Sequence, residues 1–182
     1  WTVWFMVNLG YYGSSIWIPS ILHANGHDLV KSFGFTLIIT LAQLPGYATS
    51  AYLIEHWGRR ATLTTFLVGS SIGAIGFGMA DSSAAIIATG CVLSFFNLGA
   101  WGALYAITPE IYPTFIRATG AGAATGFGRL ASIAAPFLVT FLLGVGGVPG
   151  GNKGLLFPVL AGAFVVAAAA TLALPERRGA SL

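Results

Sequence analysis

Apolar residues run along this chain in six long blocks, 1–22, 32–54, 61–80, 83–107, 119–143 and 154–174, separated by short stretches rich in charge, glycine or proline. A bilayer core about 30 Å thick is crossed by roughly 20 residues, each rising about 1.5 Å along a helix. Each block therefore has the length of a transmembrane helix. The pattern predicts an all-α, polytopic membrane protein of six spans, forming one bundle over 1–182. The connections at 23–31, 55–60, 81–82, 108–118 and 144–153 are all short.

Composition agrees with lipid as the main solvent. Hydrophobic residues make up 56% of the chain and charged residues only 7%, against roughly 25% charged in soluble domains. The net charge of +3 is spread too thinly to form the basic stripe that nucleic acid needs. Connections after the second, fourth and sixth spans hold Arg59, Arg60, Arg117, Arg177 and Arg178, and the opposite ends hold only Lys31 and Lys153. The positive-inside rule then places the even-numbered exits and the C-terminus in the cytoplasm of a cell membrane. The first residue is Trp1, and no basic region precedes the first apolar block. The expectation is a piece of a longer protein.

Cys91 is the single cysteine, so neither an internal disulfide nor a cysteine metal site forms within the chain. His23 and His27 beside Asp28 have no further ligand nearby in sequence, and no metal or cofactor is expected. No span carries a His/Asp/Glu cluster or Ser/His pair for acid–base chemistry, which argues against an enzyme. No TVGYG-like filter segment argues for a channel.

The connections carry the sharpest motifs. Glu55-His56-Trp57-Gly58-Arg59-Arg60 predicts a tight turn in which Gly58 takes a positive φ and Glu55 pairs with an arginine or caps a neighbouring helix. Glu110-Ile111-Tyr112-Pro113 with Arg117, and Pro175-Glu176-Arg177-Arg178-Gly179, put acids and arginines on the same membrane face. An exposed ion pair contributes only about 0–1 kcal/mol, so a gating latch that changes between access states explains these groups better than bulk stability does. In the spans, Gly69/Gly73 and Gly122/Gly126 each set two small residues on one helical face and predict close helix packing.

On Glu55-x-x-Gly58-Arg59-Arg60, Glu110-x-x-Pro113-x-x-x-Arg117 and Pro175-Glu176-x-x-Gly179, the chain resembles the C-terminal six-helix half of the major facilitator superfamily. The run 108–114 followed by 129–136 is most similar to metabolite:proton symporters related to nicotinate, aromatic-acid and organic-ion transporters. Sugar porters are a more distant match. Their tenth helix carries a Gly-Pro-x-Pro-Trp run where this chain has Trp101-Gly102-Ala103-Leu104-Tyr105. The resemblance implies a secondary active transporter of a small organic or aromatic acid coupled to protons, working by alternating access. Its partners would be the substrate, the coupling proton, the lipid bilayer and an N-terminal six-helix half. A sugar porter-like symporter, or a non-transporting receptor or scaffold of the same fold, is the alternative.

Arg129 lies about 14 Å into the fifth span, where a guanidinium costs at least about 2.5–3.5 kcal/mol unless it faces a cavity or a partner. Two readings stand: a binding group for a substrate carboxylate, and a hydrogen-bonding hub between helices. Asn8, Tyr11, Tyr12 and Ser15 share one face of the first span, and Asn97, Trp101 and Tyr105 share one face of the fourth. These stripes, with Gln43 in the second span, line a central cavity or pack between helices. No Asp, Glu or His lies inside a span, so a proton-carrying carboxylate is expected in the other half.

Overall fold

The computed structural model describes residues 1–24, 28–144 and 151–174, and the described residues are helical apart from short turns. The helices are α1 (Thr2–Ser14), α2 (Ile18–Ala24), α3 (Leu29–Leu41), α4 (Gln43–Trp57), α5 (Arg59–Met79), α6 (Ser83–Ile111), α7 (Arg117–Gly144) and α8 (Lys153–Leu172), with a 3-10 turn at Thr114–Ile116 before α7. Five helical segments are long and apolar enough to cross a membrane: Val30–Trp57, Arg59–Met79, Ser83–Ile111, Thr114–Gly144 and Lys153–Leu172.

Where hydropathy predicts one helix over 1–22, the structure has two, α1 and α2, parted at residues 15–17. Pro19 explains the break. Its ring lacks an N–H and collides with the carbonyl four residues back, that of Ser15. The same rule accounts for the shallower interruption at Ala42 between α3 and α4, since the carbonyl four residues before Pro45 is that of Leu41, the last residue of α3. At the other extreme α6 continues through Thr108 and Pro109 to Ile111, beyond the span expected to end at 107.

The turn chemistry follows the side chains. Gly58 joins α4 to α5 with φ 96° and ψ 163°, a region essentially closed to residues with a Cβ. Ser82 caps α6 by accepting from the Ala85 N–H at 3.2 Å, and Asn152 caps α8 by accepting from Leu155 at 3.0 Å. Lys153 bonds to the Ala80 carbonyl at the end of α5 and pairs with Asp81 at 3.3 Å. A cation thus sits at a helix C-terminus, where the helix dipole favours it.

In packing, α5 lies against α6 and α8, α1 against α7 and α8, and α4 against α6. Buried aromatics such as Phe66, Phe77, Phe157 and Phe164 fill the space behind them. Gly73 lets α5 approach α6 so closely that a Cβ there would lie 2.7 Å from the Leu93 Cα, and Gly69 is covered by the Phe96 ring. Gly122 and Gly126, with the same spacing, have no such neighbour among the described residues and face open space on α7. The face of α7 that does pack is a stripe of small or branched residues, Ala124, Gly128, Ala131, Ala135, Val139 and Leu142. Gly128 admits Asn8 of α1 against the α7 backbone.

Candidate functional site

Four helices converge on a cavity of about 260 Å³ lined by Tyr11, Tyr12, Tyr47, Leu98, Trp101, Tyr105 and Arg129. Tyr11 and Tyr12 come from α1, Tyr47 from α4, Leu98, Trp101 and Tyr105 from α6, and Arg129 from α7. Helices α5 and α8 stand behind and contribute nothing to the lining. The volume is just below the roughly 300–1,000 Å³ of drug-sized ligand pockets, which fits a small molecule.

The aromatic wall is continuous. Trp101 meets Tyr11 edge-on at 5.6 Å between ring centroids and Tyr105 at 5.7 Å, and Tyr11 meets Tyr12 edge-on at 5.3 Å. Behind this wall Trp4 packs edge-on against Trp101 and Tyr105 and donates its indole N–H to the Thr108 hydroxyl at 2.9 Å. Edge-on aromatic pairs contribute about 0.5–1.5 kcal/mol beyond their buried area, so these contacts favour the ring arrangement seen here.

Arg129 is the cavity's cation. Its Nη1 donates to the Tyr12 hydroxyl at 2.8 Å, tying α7 to α1, and its side chain is otherwise exposed in this chain. Among the described residues no carboxylate pairs with it. The tyrosine hydroxyl is neutral, so the guanidinium charge remains available to an anion and its planar fork can grip a carboxylate through two hydrogen bonds.

The other polar candidates separate by rotation about their helices. Asn8 is fully buried and engaged between helices: its Nδ2 donates to the Trp4 carbonyl at 2.8 Å and its Oδ1 accepts from Ser132 on α7 at 2.8 Å. Gln43 is half-buried at the start of α4, one turn before the cavity-lining Tyr47, and does not itself line the cavity. Asn97 is sealed from solvent one turn before Trp101. Sequence reasoning missed Tyr47 and Trp4. Each was within reach of the stripes already noted, Tyr47 one turn after Gln43 and Trp4 one turn before Asn8.

A second constellation sits at the opposite end from Lys153. Arg59 Nε pairs with Glu110 Oε1 at 3.1 Å, both side chains about a quarter exposed, and Arg60 donates to the Leu174 carbonyl beyond the end of α8 at 3.2 Å. Glu55, expected to pair with an arginine or cap a helix, is exposed and makes no ion pair among the described residues. It projects from the last turn of α4, and Arg59 reaches across to α6 instead. Among the described residues Arg117 reaches only the Thr114 hydroxyl, at 3.5 Å, and Pro113 precedes the 3-10 turn at Thr114–Ile116. Glu176 and Arg177, like His27, lie outside the described residues. Since a part-exposed pair is worth at most about 1 kcal/mol, a double-mutant cycle of Arg59→Ala and Glu110→Ala, read by thermal unfolding of the full-length protein in detergent, is expected to give a coupling no larger than that. A coupling of several kcal/mol would make the pair a structural clamp.

Compared with known proteins, residues 3–182 match the family described as sugar (and other) transporters. The chain is similar to the niacin transporter NiaP of Acinetobacter baylyi, 52% identical over 79% of this chain and 33% of that protein. It is also similar to the inner membrane metabolite transport protein YdjE of Escherichia coli, 29% identical over 78% of this chain and 32% of that protein. Solute carrier family 22 member 7 of Sus scrofa is 34% identical over 99% of this chain and 31% of its own length. The chain spans about a third of the length of the curated relatives it matches. With five apolar membrane-length helices and a family match over nearly its whole length, the chain belongs to the sugar (and other) transporter family of the major facilitator superfamily, whose members are multi-pass membrane transporters.

Proposed function

We propose that this chain is the C-terminal six-span half of a proton-coupled transporter of small aromatic monocarboxylates, of which nicotinate is the reference substrate. The broken pair α1 and α2 forms the first span, and the remaining five helical segments form the others. The observation that carries the substrate class is Arg129, a guanidinium without a carboxylate partner among the described residues, held by Tyr12 at the edge of a cavity whose other walls are mostly aromatic. A flat ring stacks on such walls while its carboxylate meets the cation. The similarity to a protein named as a niacin transporter supports the same class.

In this reading a second membrane half closes the cavity from the open side and supplies the protonatable carboxylate. Access alternates as the halves rock about the site. The connections bearing Arg59, Arg60, Glu110 and Arg117 face the cytoplasm of the cell membrane, following the excess of arginine at that end.

The test is uptake by the full-length transporter in proteoliposomes. Labelled nicotinate is expected to accumulate when the outside is made acid, to stop accumulating when a protonophore collapses the gradient, and to be displaced by unlabelled benzoate but not by glucose. Accumulation of glucose, or nicotinate flux that neither saturates nor is displaced by benzoate, would overturn the assignment.

A further inference from the structure

One set of polar groups beside the cavity takes no part in holding a carboxylate at Arg129. Asn97 is 0% exposed, and neither its Nδ2 nor its Oδ1 has a hydrogen-bond partner among the described residues. One turn further along α6, Trp101 is 7% exposed and its indole N–H is likewise sealed and without a partner. Buried polar groups in folded proteins are nearly always paired, and an exception calls for a reason.

The contrast with Asn8 sharpens the point. That asparagine, equally buried, has both ends of its amide satisfied by Trp4 and Ser132. Asn97 and Trp101 instead leave an amide and an indole N–H idle one turn apart, whereas hydroxyls such as those of Ser70 and Thr108 bond back to their own helices and that of Ser50 bonds across to Gly99. The Trp101 ring itself lines the cavity, so these idle groups lie directly behind a wall that the ligand touches. They also belong to α6, whereas the cation that would take the carboxylate comes from α7.

We propose that Asn97 and the Trp101 indole N–H form a specificity-determining polar subsite, which takes an uncharged hydrogen-bonding heteroatom on the ring of the bound anion, such as a pyridine nitrogen. The proposal rests on the carboxylate reading of Arg129 for the ligand's orientation. As the ligand seats, the indole turns about its side-chain torsions and opens the Asn97 amide to the ring. The occupied state thereby satisfies groups that the sealed state leaves unpaired. A site built to hydrogen-bond one substrate atom rejects the isostere that lacks it, because its own polar groups then stay unpaired.

Nicotinate and benzoate share the carboxylate and differ by a ring nitrogen against a C–H, so their affinity ratio isolates this subsite. Measured by competition for uptake in proteoliposomes of the full-length transporter, the ratio is expected to favour nicotinate in the parent. In Asn97→Leu it falls about tenfold, and Trp101→Phe, which keeps a ring in the wall but removes the N–H, moves it in the same direction. Should Asn97→Leu not reach the membrane, Asn97→Thr and Trp101→Phe carry the same comparison. A ratio that stays at the parent value, whether both ligands weaken together or neither changes, overturns the subsite. The Arg129 reading fails separately: it falls if Arg129→Ala leaves the affinities for both anions intact, an outcome that the nicotinate-to-benzoate ratio does not touch.

Discussion

Replacing Arg129 by alanine in the full-length transporter is expected to abolish saturable uptake of nicotinate and benzoate while the protein still reaches the membrane at parental levels. The two halves of that expectation have separate physical causes. A hydrogen bond to a charged group is worth about 1.5–3 kcal/mol, and the guanidinium offers a carboxylate two of them in one plane. Losing both lowers affinity by more than a hundredfold, at about 1.4 kcal/mol per factor of ten. Insertion should not suffer, because a mid-membrane arginine costs at least about 2.5–3.5 kcal/mol and its bond to the Tyr12 hydroxyl, at 2.8 Å, recovers little. Arg129→Lys keeps the charge but loses the fork, so it should fall between the two, with affinity down about tenfold. If Arg129→Ala vanishes from the membrane, the residue is a hub between α1 and α7. If it transports anions as the parent does, the cation lies outside the substrate path.

Much of this arrangement is written locally. A positive φ at Gly58, a cap at Ser82 and membrane-length apolar runs all follow from residue type and spacing, and the structure has them. Helix breaks are harder, because hydropathy sums over a window and is blind to a single ring. Pro19 and Pro45 sit just downstream of breaks in their helices, while Pro109 and Pro136 lie inside continuous ones. Partners are harder still. Gly69/Gly73 and Gly122/Gly126 have one spacing, yet among the described residues only the first pair meets another helix, since a small-residue face states that something can approach and not what does. Asn8 and Asn97 looked alike in their stripes, and a modest rotation decides that one ties α1 to α7 while the other has no partner among the described residues. Charge partners followed the same logic. Glu55 is four residues from Arg59, but Glu110 pairs with Arg59 from 51 residues away because the ends of α5 and α6 are packed together.

The sign of a glycine-to-alanine change tests the packing that sets the cavity's width. In a helix interior, alanine is favoured over glycine by about 0.8–1.0 kcal/mol, so the change stabilises wherever a methyl group finds room. At Gly34 nothing lies within 4 Å of the added Cβ, and Gly34→Ala is expected to hold or raise the unfolding temperature of the full-length protein in detergent. At Gly46 the same methyl would lie 2.8 Å from the Phe95 carbonyl carbon and 2.9 Å from its Cα, and closer still to its oxygen. These are backbone atoms of α6 and cannot rotate aside, so α4 must withdraw. Withdrawal strains the bond from the Ser50 hydroxyl to the Gly99 carbonyl, now 2.7 Å, and carries Tyr47 away from the cavity it lines. Overpacking of this kind costs about 1–3 kcal/mol, enough to outweigh the helix-propensity gain and reverse the sign. Gly46→Ala should therefore lower the unfolding temperature by several degrees and weaken nicotinate binding together with it. If Gly46→Ala proves as well tolerated as Gly34→Ala, α4 is not seated on α6 at this crossing, and Tyr47 loses its place in the cavity wall.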